Sequence, residues 1–226
     1  MWRLLCILAV MLVLVGCFGL GGNDNSLSPA PSASPTVEPS VEPTLAPTST
    51  PTPTPSPSST PATTAEEAAK AIINALKQQD LENLSSYIHP GKGLLFSPYG
   101  HIEKDTALTF TAGELPDWDD PKLYKWGRYD GSGEPISLAF RDYFKRFVYD
   151  QNFAEAEKVG HNEILSQGNT LVNIGEIYPD STYFDYYFSG FDPKLSGMDW
   201  ESLILVLEQH NGAWYVCAIV HSQWTI

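Results

Sequence analysis

Between Pro29 and Pro61 the chain places eleven of its eighteen prolines, interleaved with serine and threonine as in Thr50-Pro51-Thr52-Pro53-Thr54-Pro55. A segment of this kind cannot bury enough apolar surface to offset the entropy of ordering it, and it shows no apolar periodicity. Proline density biases such a tract toward extended polyproline II, so roughly forty residues predict a disordered, semi-rigid stalk with a reach on the order of 120 Å. Whatever folds must therefore come from residues 64–226, a length suited to one domain with a single core.

The other end of the stalk has its own signal. Arg3 is the only side-chain charge ahead of an apolar run from Leu4 to Val15. About a dozen residues match the h-region of a signal peptide better than the ~20 needed to span a bilayer. The run closes on Leu14-Val15-Gly16-Cys17, which resembles the lipobox of bacterial lipoproteins. That resemblance implies removal of residues 1–16 as a signal peptide and lipidation of Cys17 with diacylglycerol and palmitate. It further implies a lipid-anchored protein on a bacterial cell membrane, facing outside the cytoplasm, with residues 17–63 as lipidated N-terminus and linker. The alternative is an ordinary secretory signal cut near Gly19-Leu20-Gly21-Gly22. Two acyl chains hold a protein stably where one gives only about 10⁴ M⁻¹.

From residue 64 onward acidic residues outnumber basic ones by 24 to 12. A net charge near −12 argues against nucleic acid and against docking on anionic surfaces through bulk electrostatics. If Cys6 leaves with the signal and Cys17 carries lipid, Cys217 stands alone, which excludes an intramolecular disulfide and a cysteine-based metal site. Its setting, Trp214-Tyr215-Val216-Cys217-Ala218-Ile219-Val220, reads as a small buried hydrophobe.

Thr64-Ala65-Glu66-Glu67 is a capping box, and Ala65, Ala68, Ala69, Ile72, Ile73 and Leu76 follow as one apolar stripe. This predicts a helix to about Gln79, then a short one over Leu81, Leu84 and Ile88. A further helix is expected from Ile136 to Tyr149, opened by Pro135, with Phe140, Phe144 and Phe147 on one side. Strands are expected over Thr182–Phe188, Ser202–Gln209 and Ala213–His221, the last two joined by the hairpin pair Asn211-Gly212. Shorter strands fit Leu94–Glu103, Leu108–Thr111 and Leu171–Ile177. The sum is an α+β domain with a curved antiparallel sheet wrapped around an N-terminal helix.

This order resembles the nuclear transport factor 2-like group, a cystatin-like α+β cone. Residues 64–226 are also similar to a family of uncharacterised bacterial surface proteins. The similarity rests on Phe96-Ser97-Pro98-Tyr99, Asp130-Gly131-Ser132-Gly133-Glu134-Pro135, Gly190-Phe191-Asp192-Pro193, Gly197-Met198-Asp199-Trp200 and His221-Ser222-Gln223-Trp224-Thr225. It implies a fold and carries no activity, since cones serve enzymes and binding modules alike.

None of His89, His101, His161, His210 and His221 stands in an HExxH or other metal-ligand spacing, and no metal or cofactor is expected. His89 and His210 read as turn residues. On a regular last strand His221 shares a face with Tyr215, Cys217 and Ile219, near the mouth of the cone. Asp185 lies between Tyr183 and Tyr187 on one strand face. The acidic strings at Asp117–Asp120 and Asp130–Glu134 read as connecting loops rather than calcium sites. No Gly-x-Ser-x-Gly and no phosphate-binding glycine loop occurs.

Three functional readings follow. The first is a binding or sensing module for a small molecule or envelope partner, with Tyr99, Asp185, Tyr187, His221 and Trp224 as pocket residues. The second is an envelope enzyme using Asp185 and His221 as an acid–base pair. The third is a structural surface scaffold.

Overall fold

The computed structural model describes residues 62–165, 168 and 170–225. The expected signal segment, Cys17 and the Pro/Ser/Thr tract lie outside the described residues. The first helix, α1 (Ala65–Gln78), opens with the expected capping box: the Glu67 amide donates to Thr64 Oγ1 at 3.2 Å, and Glu67 Oε2 accepts from the Thr64 amide. Its buried stripe comprises Ala65, Ala68, Ala69, Ile72, Ile73, Ala75 and Leu76. Gln79 closes the helix in the left-handed region, and Asp80 caps the short α2 (Leu81–Ser86).

Eight strands follow: β1 (Leu94–Ser97), β2 (Leu108–Phe110), β3 (Tyr124–Arg128), β4 (Pro135–Leu138), β5 (Lys158–His161), β6 (Thr182–Phe188), β7 (Glu201–His210) and β8 (Ala213–Gln223). Two further helices, α3 (Phe140–Phe147) and α4 (Ile174–Ile177), interrupt them. Six strands form one curved mixed sheet in the order β2-β1-β8-β7-β6-β5, while β3 and β4 make a separate ribbon. Within the sheet β1 runs parallel to β8, and the other neighbours are antiparallel. The domain is α+β.

Its central strand, β7, is buried on both faces from Ser202 to Glu208. The front face, carrying Leu203, Leu205, Leu207, Phe184, Phe96 and Ile219, packs against α1 and α3. The back face, carrying Leu95, Ile204, Val206, Cys217, Ala218 and Val220, is covered by Ile102, Ile174 and Tyr178. Most of the aromatic wealth is spent in the front layer: Trp126 of β3 stacks on Tyr143 of α3 at 3.8 Å and donates its indole N–H to the Leu138 carbonyl. Around it Phe96 meets Trp126, Phe140 and Tyr143 edge-on at 5.9–6.1 Å, and edge-to-face pairs of this kind contribute about 0.5–1.5 kcal/mol beyond burial.

Two expectations are corrected here. The helix expected over Ile136–Tyr149 begins only at Phe140, because Pro135–Leu138 pairs with β3 and places Ile136 in the core. Proline is tolerated at the first residue of such a strand, and Ala139, with extended backbone, turns the chain into α3. The strand expected over Leu171–Ile177 is instead a single helical turn. The Asn173 side chain accepts from the Ile102 amide at 2.8 Å and donates to its carbonyl, supplying from a side chain the pairing a strand would have supplied from backbone.

Candidate functional site

Asn211 and Gly212 both have positive φ, 50° and 82°, as a type I′ turn requires. The turn fixes the register of the last hairpin: His210 faces Ala213 and Leu207 faces Val216. Next comes an irregularity, because Val206 faces Ala218 and Cys217 is left as an extra residue. A bulge of this kind reverses the inward and outward sense of everything beyond it. Ile219 and His221 therefore face the front layer, whereas Tyr215 and Cys217 face the back.

This overturns the expected acid–base pair. His221 lies opposite Leu203 on the front face, while Asp185 lies opposite Ile204 on the back face. Asp185 is fully buried there, accepting hydrogen bonds from the Leu165 amide at 2.7 Å and from the Ser202 hydroxyl. Its role is to hold the 163–165 segment to the sheet.

The partner that the fold gives His221 is Asp150, three residues beyond the end of α3. His221 Nε2 and Asp150 Oδ2 are 3.0 Å apart, and the ring is wholly buried with Phe147 edge-on to it at 5.9 Å. Glu201, the first residue of β7, shares the front face with Leu203 and completes a group whose ligand atoms all lie within 4.8 Å of one another. Burial pushes the Glu201 carboxyl up from its ordinary value, and the negative charge of Asp150 pushes it further. Asp150 Oδ1, Glu201 Oε2 and His221 Nδ1 are buried without a hydrogen-bond partner. Among the described residues no Lys or Arg pairs with either carboxylate.

A second cluster of similar composition, His89, Glu208 and Cys217, is buried behind the sheet. It is internally complete. His89 Nδ1 accepts from the amides of Gly91 and Lys92, at 3.1 and 3.0 Å, so the neutral ring keeps its proton on Nε2. Lys92 Nζ donates to Glu208 Oε1 at 2.7 Å. Burial pushes the Cys217 thiol up to about 12, with the Glu208 charge adding to the effect, so it stays protonated at neutral pH. These residues serve as a turn, an ion pair and a packed hydrophobe.

No protein-family model and no curated protein matches this chain.

An open cleft of about 280 Å³ lies at the loop ends of β1 and β3, lined by Tyr99, His101, Glu103, Thr106, Arg128, Tyr129, Asp130 and Thr170. Tyr99 is the pocket candidate that the structure places there. Its hydroxyl accepts from the Asp130 amide at 3.2 Å, leaving the O–H free to donate. Arg128 spends one guanidinium nitrogen on the Gly133 carbonyl at 2.8 Å and keeps its other donors. The remaining candidates are not brought to this cleft. Tyr187 lines a separate shallow depression with Lys158 and Glu163, Trp224 is 43% exposed near the end of the chain, and Asp185 and His221 occupy opposite faces. The Phe147 ring lies 5.9 Å from both Tyr99 and His221.

Sequence reasoning missed Arg128, Tyr129, Asp150 and Glu201. Nothing local to Tyr149-Asp150-Gln151 marks Asp150. The alternation of Glu201, Leu203 and Leu205 does place Glu201 on the buried face, and an acid on that face is a usable signal. Two of the strings quoted from the sequence are tied together structurally: Asp199 Oδ2 accepts from the amides of Phe191 and Asp192, at 2.8 and 2.6 Å, joining the Gly190 string to the Gly197 string. Among the described residues no helix is long and apolar enough to cross a membrane.

Proposed function

We propose that this protein is a lipid-anchored binding module on the outer side of a bacterial cell membrane, holding a small polar ligand in the Tyr99–Arg128 cleft. The observation that carries the reading is the lining of that cleft. Within about 280 Å³ it offers a free phenolic O–H, a half-engaged guanidinium, two carboxylates and two aromatic rings. Ligand sites combine apolar walls with a few placed polar groups, and this volume falls just below the usual range of about 300–1,000 Å³, which limits the ligand to a small one. Both charge signs are present, which suits a zwitterion or a polyol of amino-acid or monosaccharide size better than a simple anion.

Catalysis has less support. The nitrogen of His221 left free by Asp150 is sealed from solvent, and a general base must come within hydrogen-bond reach of the proton it takes. Anchoring through Cys17 and display on the proline-rich tract rest on the sequence, and the acidic domain makes repulsion from an anionic surface favour a raised position.

The test is a calorimetric screen of the full chain in detergent against the amino acids and common monosaccharides. A ligand found this way should bind Tyr99→Phe at least fivefold more weakly, because that change keeps the ring against Phe147 and removes the hydroxyl. Undiminished affinity in Tyr99→Phe and in Arg128→Gln refutes the cleft as the site. Mass spectrometry of the mature N-terminus checks the anchor: a diacylated Cys17 is expected, and an unmodified N-terminus elsewhere refutes it.

A further inference from the structure

The Asp150, Glu201 and His221 cluster is short of positive charge. Two carboxylates approach one imidazole at the edge of the front core layer, and each carboxylate buries an oxygen that no protein group reaches. Buried charged groups of this kind are usually paired or bound to metal, because an unsatisfied one costs about 1–3 kcal/mol or more. At 3.0 Å, His221 Nε2 and Asp150 Oδ2 are placed to share either a proton or a cation.

We propose that Asp150, Glu201 and His221 bind one divalent transition-metal ion of the zinc and manganese class. One imidazole with two carboxylates is a mixed nitrogen and oxygen donor set, which suits these ions, whereas calcium prefers six to eight oxygens. On binding, Nε2 of the neutral ring donates its lone pair to the metal and the single ring proton resides on Nδ1; a ring that held it on Nε2 takes up one proton at Nδ1 as it releases that one, and only an imidazolium releases a net proton. Ligand atoms around a zinc-sized ion sit roughly 3.3–3.6 Å apart at bond lengths of about 2.0–2.2 Å. Here the ligand atoms lie within 4.8 Å of one another and the Nε2–Oδ2 pair at 3.0 Å, so binding requires that pair to open by a few tenths of an ångström and the half-buried Glu201 side chain to adjust. The three ligands come from the chain after α3, from β7 and from β8, so the ion would staple the end of α3 to the sheet. This site is separate from the Tyr99–Arg128 cleft and stands or falls independently of it.

The full chain in detergent is titrated by calorimetry with MnCl₂, ZnCl₂ or CaCl₂ as the sole probe, after removal of metal by chelation. One Mn²⁺ or Zn²⁺ per chain is expected, with calcium at least tenfold weaker. Glu201→Gln, which keeps the shape of the side chain, and Asp150→Asn should each weaken Mn²⁺ binding tenfold or more. Cys217→Ser should leave it unchanged, as should Asp119→Asn in the exposed acidic loop. Absence of saturable Mn²⁺ and Zn²⁺ binding overturns the proposal. So does stoichiometric binding that survives Glu201→Gln with the fold intact by circular dichroism, or that is lost in Cys217→Ser.

Discussion

Two histidine and carboxylate clusters lie on opposite faces of the same hairpin, and they have been finished differently. Behind the sheet, Glu208 has Lys92, His89 has two backbone amides, and Cys217 is packed as a neutral thiol. In front of it, Asp150 and Glu201 have one imidazole between them, and three of the polar atoms have no protein partner. Buried polar groups in folded chains are satisfied as a rule. The back cluster obeys that rule from within and therefore reads as structure; the front cluster leaves it open to a ligand.

The comparison breaks most visibly at Cys217. At pH 8 a thiol held up at about 12 is ionised to only about one part in 10⁴. Native protein should therefore react with a thiol reagent at Cys217 at least a thousandfold more slowly than urea-unfolded protein, as followed by mass spectrometry. Comparable rates would mean that the back cluster is neither closed nor neutral.

A smaller effect probes the ion pair. Lys92→Met strands the Glu208 carboxylate, 7% exposed, without its cation. Removing one partner of a largely buried pair leaves an uncompensated charge, and a loss of about 2–3 kcal/mol is expected in urea unfolding because Lys92 itself is half-exposed. A loss below about 0.5 kcal/mol would show that the back cluster does not depend on Lys92.

The smallest effect has the opposite sign and belongs to the front. The Glu201 carboxyl is raised above its ordinary 4.5 by burial and by Asp150. Well below pH 4.5 both folded and unfolded states are protonated and the Glu201 charge has no effect on stability. As pH rises, the unfolded chain ionises first, so the folded state loses stability until its own raised value is passed. In metal-free protein Glu201→Gln should therefore stabilise by about 0.5 kcal/mol at pH 7, after solvent screening, and not at pH 4. Destabilisation at pH 7 without metal would mean that the carboxylate is already satisfied.

How much of this could be read beforehand depends on whether the signal was local. The α1 capping box, the Thr182–Phe188 strand and the Asn211-Gly212 turn are all encoded within a few residues, and each stands where expected. The segment at Pro135 was ambiguous because Ile136 and Phe140 fit a helical stripe equally well until β3 claims Ile136. The site failed for one residue. In an unbroken hairpin from Asn211-Gly212, His221 would fall opposite Ser202, on the face of Asp185. The bulge at Cys217 moves it opposite Leu203 and delivers it to Asp150. No pattern in Val216-Cys217-Ala218 announces a bulge, and no periodicity brings a residue after α3 to a strand seventy residues later.

The most direct test of the account is anomalous diffraction from crystals of the protein grown with Mn²⁺ or Zn²⁺. A single peak bonded to Asp150, Glu201 and His221 Nε2 at about 2.0–2.2 Å is the predicted result. No peak there, or a peak at His89, Glu208 and Cys217 instead, would contradict it.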